Sequence, residues 1–87
     1  MWSIRILPAA VRELEGLDKS VGGHIVRRIR WLAENLDTIR AKALKGSLAV
    51  LFTLREGDYR IIYQVLRKEN NILIHSIGHR KDIYRAK

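Results

Sequence analysis

Asp58-Tyr59-Arg60-Ile61-Ile62-Tyr63-Gln64-Val65 and, after the polar break Lys68-Glu69-Asn70-Asn71, Ile72-Leu73-Ile74-His75-Ser76-Ile77 decide how this chain folds. The first run alternates, with Tyr59, Ile61, Tyr63 and Val65 on one face and Arg60, Ile62 and Gln64 on the other, which is the period of a half-buried strand. The second is apolar on both faces, as a central strand is. Paired as a hairpin, they bring Arg60, near the start of one strand, toward Arg80, just past the end of the other in Gly78-His79-Arg80-Lys81-Asp82-Ile83-Tyr84. Two permanently charged guanidiniums near an aromatic hydroxyl match the oxygens of a phosphate.

Upstream, Leu48-Ala49-Val50-Leu51-Phe52-Thr53-Leu54-Arg55 is rich in strand formers. It puts Leu48, Val50, Phe52 and Leu54 on one face and Leu51, Thr53 and Arg55 on the other. Glu56-Gly57-Asp58 joins it to the next strand as a hairpin turn whose glycine can take positive φ. Residues 37–47 carry no sustained period and read as a connector. Before them Val21, Ile25, Ile29, Leu32 and Leu36 step by three or four residues, the apolar stripe of a helix capped by Asp18 or Ser20. Gly22-Gly23 costs that helix roughly 1 kcal/mol per glycine, which predicts a frayed or late first turn. Pro8 suits the start of a shorter helix carrying Ala10, Leu14 and Leu17 and weakened at Gly16, and Trp2, Ile4 and Ile6 share one face of an N-terminal strand.

This order of elements predicts an α+β fold: an N-terminal strand and two helices packed on one face of a mostly antiparallel four-stranded sheet, in a single domain over residues 1–87. The other face is left free. It collects Arg55 and Arg60 from adjacent strands, with Arg80 and Tyr84 arriving from the segment after the last strand.

Seventeen Lys and Arg against nine Asp and Glu leave a net charge of +8, which favours nucleic acid first, an acidic protein next and an anionic membrane third. Solubility alone is the competing explanation. Arg27, Arg28 and Arg30 cluster on the polar side of the second helix and, with Lys45 and Lys81, are candidates for binding nucleic acid; a solvated helix face is the alternative. With no cysteine and three widely spaced histidines, no metal site of recognised spacing forms. No glycine-rich loop feeds a helix as a nucleotide site requires, so no cofactor is expected. No run approaches the roughly 20 apolar residues needed to span a bilayer, and the start has no signal-peptide core, so a soluble cytoplasmic protein without a membrane role is expected.

Leu44-Lys45-Gly46, Gly57-Asp58-Tyr59-Arg60-Ile61-Ile62-Tyr63 and Gly78-His79-Arg80-Lys81-Asp82-Ile83-Tyr84 together resemble the RelE/ParE superfamily of bacterial toxins from type II toxin–antitoxin pairs. The likeness covers essentially the whole chain, and the ending His-Arg-x-x-Ile-Tyr is its most specific part. It implies the RelE-like microbial RNase fold and one of two activities. RelE-type members cut messenger RNA in the decoding site of the ribosome, whereas ParE-type members bind and inhibit DNA gyrase without nuclease chemistry. A third possibility is a member whose activity has decayed and which mainly binds its antitoxin and operator complex. In the nuclease branch the resemblance assigns catalysis to Arg60, Arg80 and Tyr84. It also implies a cognate antitoxin, a small acidic protein that covers the basic face or displaces residues 80–87. The chain departs from the pattern where the best-known nucleases place two lysines, since Leu51 and Thr53 stand there.

RNA cleavage without a metal requires a base for the 2′-hydroxyl, charge stabilisation of a dianionic transition state and a proton for the leaving 5′-oxygen. Arg60 and Arg80 suit the middle task. The alternatives are an Arg60 paired with Asp58 or Glu56 and an Arg80 that is a solvated tail cation. Tyr84 can stack on a base, hydrogen-bond the scissile phosphate or supply a proton, or else pin the tail to the sheet edge. For the missing lysine, Arg55 is the nearest cation and His79 the candidate acid or base; His75 reads as a satisfied strand histidine, and His24 stands outside the mechanism.

Overall fold

Elements follow along the chain as β1 (Ser3–Ile6), α1 (Pro8–Glu15), α2 (Lys19–Asn35), β2 (Lys42–Ala43), β3 (Phe52–Glu56), β4 (Tyr59–Leu66), β5 (Asn71–His79) and α3 (Arg80–Arg85). The computed structural model describes residues 2–38, 42–43 and 51–85, with residues 42, 43, 84 and 85 described by backbone alone. Residues 48–50 of the strand expected over Leu48 to Arg55, the Leu44-Lys45-Gly46 motif and the candidate Lys45 lie outside the described residues. The strands make one sheet in the order β1-β5-β4-β3-β2. β5 is therefore central to the long strands, with β4 antiparallel on one side and β1 parallel on the other. That arrangement explains why its sequence is apolar on both faces.

The helix stripe read from the sequence is the stripe that packs. Ile25 and Leu32 are fully buried, and Ile29 and Leu36 nearly so, against Leu54, Ile61, Tyr63, Ile72, Ile74 and Ile77 from the sheet. Each such side chain contributes on the order of 1.5–3 kcal/mol by leaving water, so truncating a fully buried one, as in Leu32→Ala, should cost about 2–5 kcal/mol. α2 runs unbroken through Gly22 and Gly23, and no frayed first turn is seen. Its N-cap position is Asp18, whose carbonyl accepts from Gly22 N–H at 2.8 Å, and packing of the stripe outweighs the intrinsic glycine penalty. α1 begins with Pro8 and stops at Glu15, one residue before the glycine expected to weaken it.

Three features add to the four-stranded expectation. The connector holds the two-residue β2, paired antiparallel to β3. The tail forms α3, and Ile83 packs on Gly78, where a Cβ would stand 3.3 Å from its side chain. Because Gly78 is the cross-strand partner of Arg60, α3 lies on the sheet face opposite the core, so that face is not wholly free. Finally, the β4–β5 register shifts between Ile62, paired with Ser76, and Tyr63, paired with Ile74. One extra residue, His75, stands in β5 at this bulge.

Candidate functional site

The β3–β4 hairpin organises the candidate site. Glu56 pairs with Tyr59, leaving Gly57 and Asp58 as a two-residue loop, and Gly57 takes φ 58°, a left-handed value that glycine adopts freely and most side chains resist. Arg55 and Arg60 are direct partners across the strands and so project on one face. Arg55 is exposed, whereas Arg60 is only 7% exposed. The Arg60 guanidinium donates from one nitrogen to Gly57 O at 3.0 Å and to Tyr59 O at 2.9 Å. Its anchors are backbone carbonyls of the turn, not the carboxylates of Asp58 or Glu56 weighed from the sequence. Using these donors leaves the rest of the fork with its charge, held in one orientation.

Arg80 is tied to the same turn. Its backbone N–H donates to Asp58 O at 2.8 Å, and its Nε stands 3.9 Å from Asp58 Oδ1. Its side chain stays 55% exposed, so this ion pair is loose and solvent-screened. Arg60 and Arg80 thus meet at neighbouring residues of one loop, with Arg55 across the strand. Tyr84 lies one helical turn beyond Arg80 in α3, with its side chain outside the described part.

The remaining candidates separate. Arg28 Nε donates to Arg55 O at 3.1 Å, stands 3.9 Å from Glu56 Oε1, and stacks its guanidinium 4.1 Å from the Trp31 ring centre. It is a strap from α2 to the hairpin rather than an open cation. Arg27 contacts His24 Nδ1 at 2.9 Å and, with Arg30, is exposed on the helix side opposite the buried stripe, with α2 and the sheet between them and Arg60. Lys81 is exposed on α3. His79 sits at the start of α3, where Nδ1 accepts the Lys81 N–H at 3.2 Å, while its ring meets Tyr59 edge-on at 5.5 Å. With that nitrogen engaged, His79 serves the helix start. Tyr63 is fully buried, and burial holds its hydroxyl above the ordinary phenol value.

An open cleft of about 660 Å³ runs past the outer edge of β5 beyond the end of β1. Leu51, Ile62, Ser76, Gly78 and Ile83 line it, together with His75. On its other side Glu13 of α1 accepts the Ile77 N–H at 2.9 Å, satisfying the strand edge that β1 no longer covers. Sequence reading missed the bulge that sets His75 into this cleft. The signal was present in the apolar spacing, since Ile72 and Ile74 are two apart but Ile74 and Ile77 are three. Among the described residues no group of His, Asp and Glu is gathered as a metal site, and no helix is long and apolar enough to cross a membrane.

The family model for the ParE toxin of the type II toxin–antitoxin system parDE matches residues 4–84. The chain is 39% identical over 84 residues to Toxin RelG of Mycobacterium tuberculosis, an alignment that covers 97% of each protein. In fold it matches the RelBE2 toxin–antitoxin complex of Mycobacterium tuberculosis with a TM-score of 0.79 at 24% identity, over 90% of this chain and 96% of that one. It also matches the isolated RelE toxin of E. coli with a TM-score of 0.76 at 18% identity, over 100% of both chains. A basic α+β domain with Arg55, Arg60 and Arg80 at one hairpin, matched along nearly its full length by the family model and by Toxin RelG, belongs to the RelE/ParE family of toxins from type II toxin–antitoxin systems.

Proposed function

We propose that this protein is a ribosome-dependent mRNA endonuclease that works without a metal, halts translation in the cytoplasm and is silenced by a cognate antitoxin. The observation that carries the reading is the convergence of Arg55, Arg60 and Arg80 at one turn, with Arg60 locked by two carbonyls in a nearly solvent-free position. Preorganised cations of this kind stabilise the dianionic transition state of phosphoryl transfer, because they need no reorganisation as charge develops. Tyr84 completes the site by stacking on or contacting the substrate. Arg80→Ala should lower cleavage of ribosome-bound message by about a hundredfold or more while leaving the fold intact. A folded Arg80→Ala variant that still cuts message at the parent rate would remove the nuclease reading.

The antitoxin reading draws on the solved relatives, in which RelE-type toxins from Mycobacterium tuberculosis and E. coli occur in toxin–antitoxin complexes. A +8 domain offers a disordered acidic chain both steering and charge-assisted hydrogen bonds. Hydrogen exchange over residues 77–87 should slow if the antitoxin covers α3 or quicken if it displaces it; no change would place inhibition elsewhere.

A second reading, inhibition of DNA gyrase, is favoured by two observations: Leu51 and Thr53 supply no cation on the site face, and the matching family model is that of ParE. Cells show which holds. Blocked translation with cut transcripts supports the nuclease, and an SOS response with gyrase trapped on DNA supports the alternative.

A further inference from the structure

Resting on the nuclease reading above, we infer that His75 is the general base of the reaction, taking the proton of the attacking 2′-hydroxyl on its Nδ1. The bulge provides the placement. As the extra residue of β5 it stands beside Ser76, the partner of Ile62, on the sheet face that carries Arg60, and it lines the cleft. Ile62 is two residues from Arg60, roughly 7 Å along the strand, a span that the two side chains can close onto one nucleotide. Bulges of this kind re-aim a side chain at the cost of one ladder pairing.

The hydrogen bonding provides the chemistry. His75 Nε2 and Gln64 Oε1 are 3.0 Å apart. An amide oxygen only accepts, so Nε2 carries the proton, and in the neutral ring Nδ1 carries the lone pair. A base oriented by a third group in this way is the arrangement by which a hydroxyl is activated. Of the other acid–base groups nearby, Glu13 takes the Ile77 N–H, Glu56 pairs with Arg28, and His79 has its Nδ1 lone pair occupied by the Lys81 N–H. Asp58 and the cleft-lining Asp82 are exposed carboxylates, and neither is oriented by a hydrogen bond as His75 is by Gln64. Arg55, Arg60 and Arg80 cannot lose a proton at all.

In the step itself the 2′-O–H proton passes to Nδ1 as the 2′-oxygen bonds to phosphorus and the P–O5′ bond breaks. The departing 5′-oxygen takes a proton from water, and the imidazolium returns its own to solvent. The products are a 2′,3′-cyclic phosphate and a 5′-hydroxyl, with no net gain or loss of protons. Arg60 and Arg80 hold the phosphate oxygens while the charge shifts.

The test is single-turnover cleavage of message on programmed ribosomes by purified wild type and His75→Ala. At saturating ribosomes the variant should be slower by about a hundredfold or more, with half-saturation unchanged within about threefold, and added imidazole should restore at least about a tenth of the loss. A rate within about threefold of wild type overturns the assignment, and so does a slow variant that imidazole does not rescue, since a purely structural role would behave so. Should His75→Ala fail to fold, His75→Gln retains a donor to Gln64 Oε1 without a base and carries the same comparison against wild type. A wild type that cuts nothing on ribosomes overturns the nuclease reading as well; a cutting wild type with an unimpaired His75 variant overturns only this one.

Discussion

Arg55 and Arg60 stand directly opposite one another across the β3–β4 hairpin, so two permanent positive charges share one face beside its turn. Like charges in directly opposed positions destabilise a strand pair. Arg55→Gln should therefore raise stability by about 0.2–1 kcal/mol in urea unfolding and at the same time slow cleavage. A loss of stability in this variant would mean that the pair is not repulsive.

Arg60 has the reverse balance, because its guanidinium satisfies Gly57 O and Tyr59 O in a nearly closed environment. Arg60→Ala should cost about 1–3 kcal/mol, the range for removing a buried charged donor from its acceptors. Activity losses in that variant must be measured where it is still folded. Equal urea midpoints for the variant and its parent would show that these two bonds add nothing.

The arginines of α2 should divide by role. Arg28→Ala removes a hydrogen bond to Arg55 O and a stacking contact with Trp31, for a loss of about 1–2 kcal/mol. Its salt dependence of ribosome binding should match the parent's. Arg27→Ala and Arg30→Ala, both at exposed positions, should stay within about 0.5 kcal/mol of the parent. Each should instead reduce the log–log salt slope of binding by about 0.7, the loss of one phosphate contact. A stable Arg28→Ala protein with an altered slope would contradict this division.

Tyr63 links the core to alkaline pH. Its hydroxyl is held above the ordinary phenol value of 10.0 by burial. A folded value above the unfolded one means that the stability tied to this group is complete below pH 10.0 and is lost as pH rises through the higher folded value. Tyr63→Phe should flatten the fall of stability above that pH, measured as unfolding midpoints from neutral to strongly alkaline solution. Parallel curves for the two proteins would assign the fall to other groups.

The sequence by itself determined the alternation of Tyr59 to Val65, the helical stripe from Val21 to Leu36 and the glycine turn at residue 57. The first two patterns have periods that only one backbone geometry can bury, and the turn needs a backbone conformation that glycine adopts freely. From these follow the α+β order, the shared face of Arg55 and Arg60, and the approach of Arg80 to the same hairpin. Tertiary structure alone decided the rest. Whether Arg28 is a free cation depends on how closely α2 crosses β3, and whether His79 or His75 is open depends on where α3 starts and where β5 gains a residue. Those are consequences of packing between elements distant in the chain, so a local period cannot carry them. The one local trace was the change from two to three in the spacing of Ile72, Ile74 and Ile77, and its meaning required the partner strand.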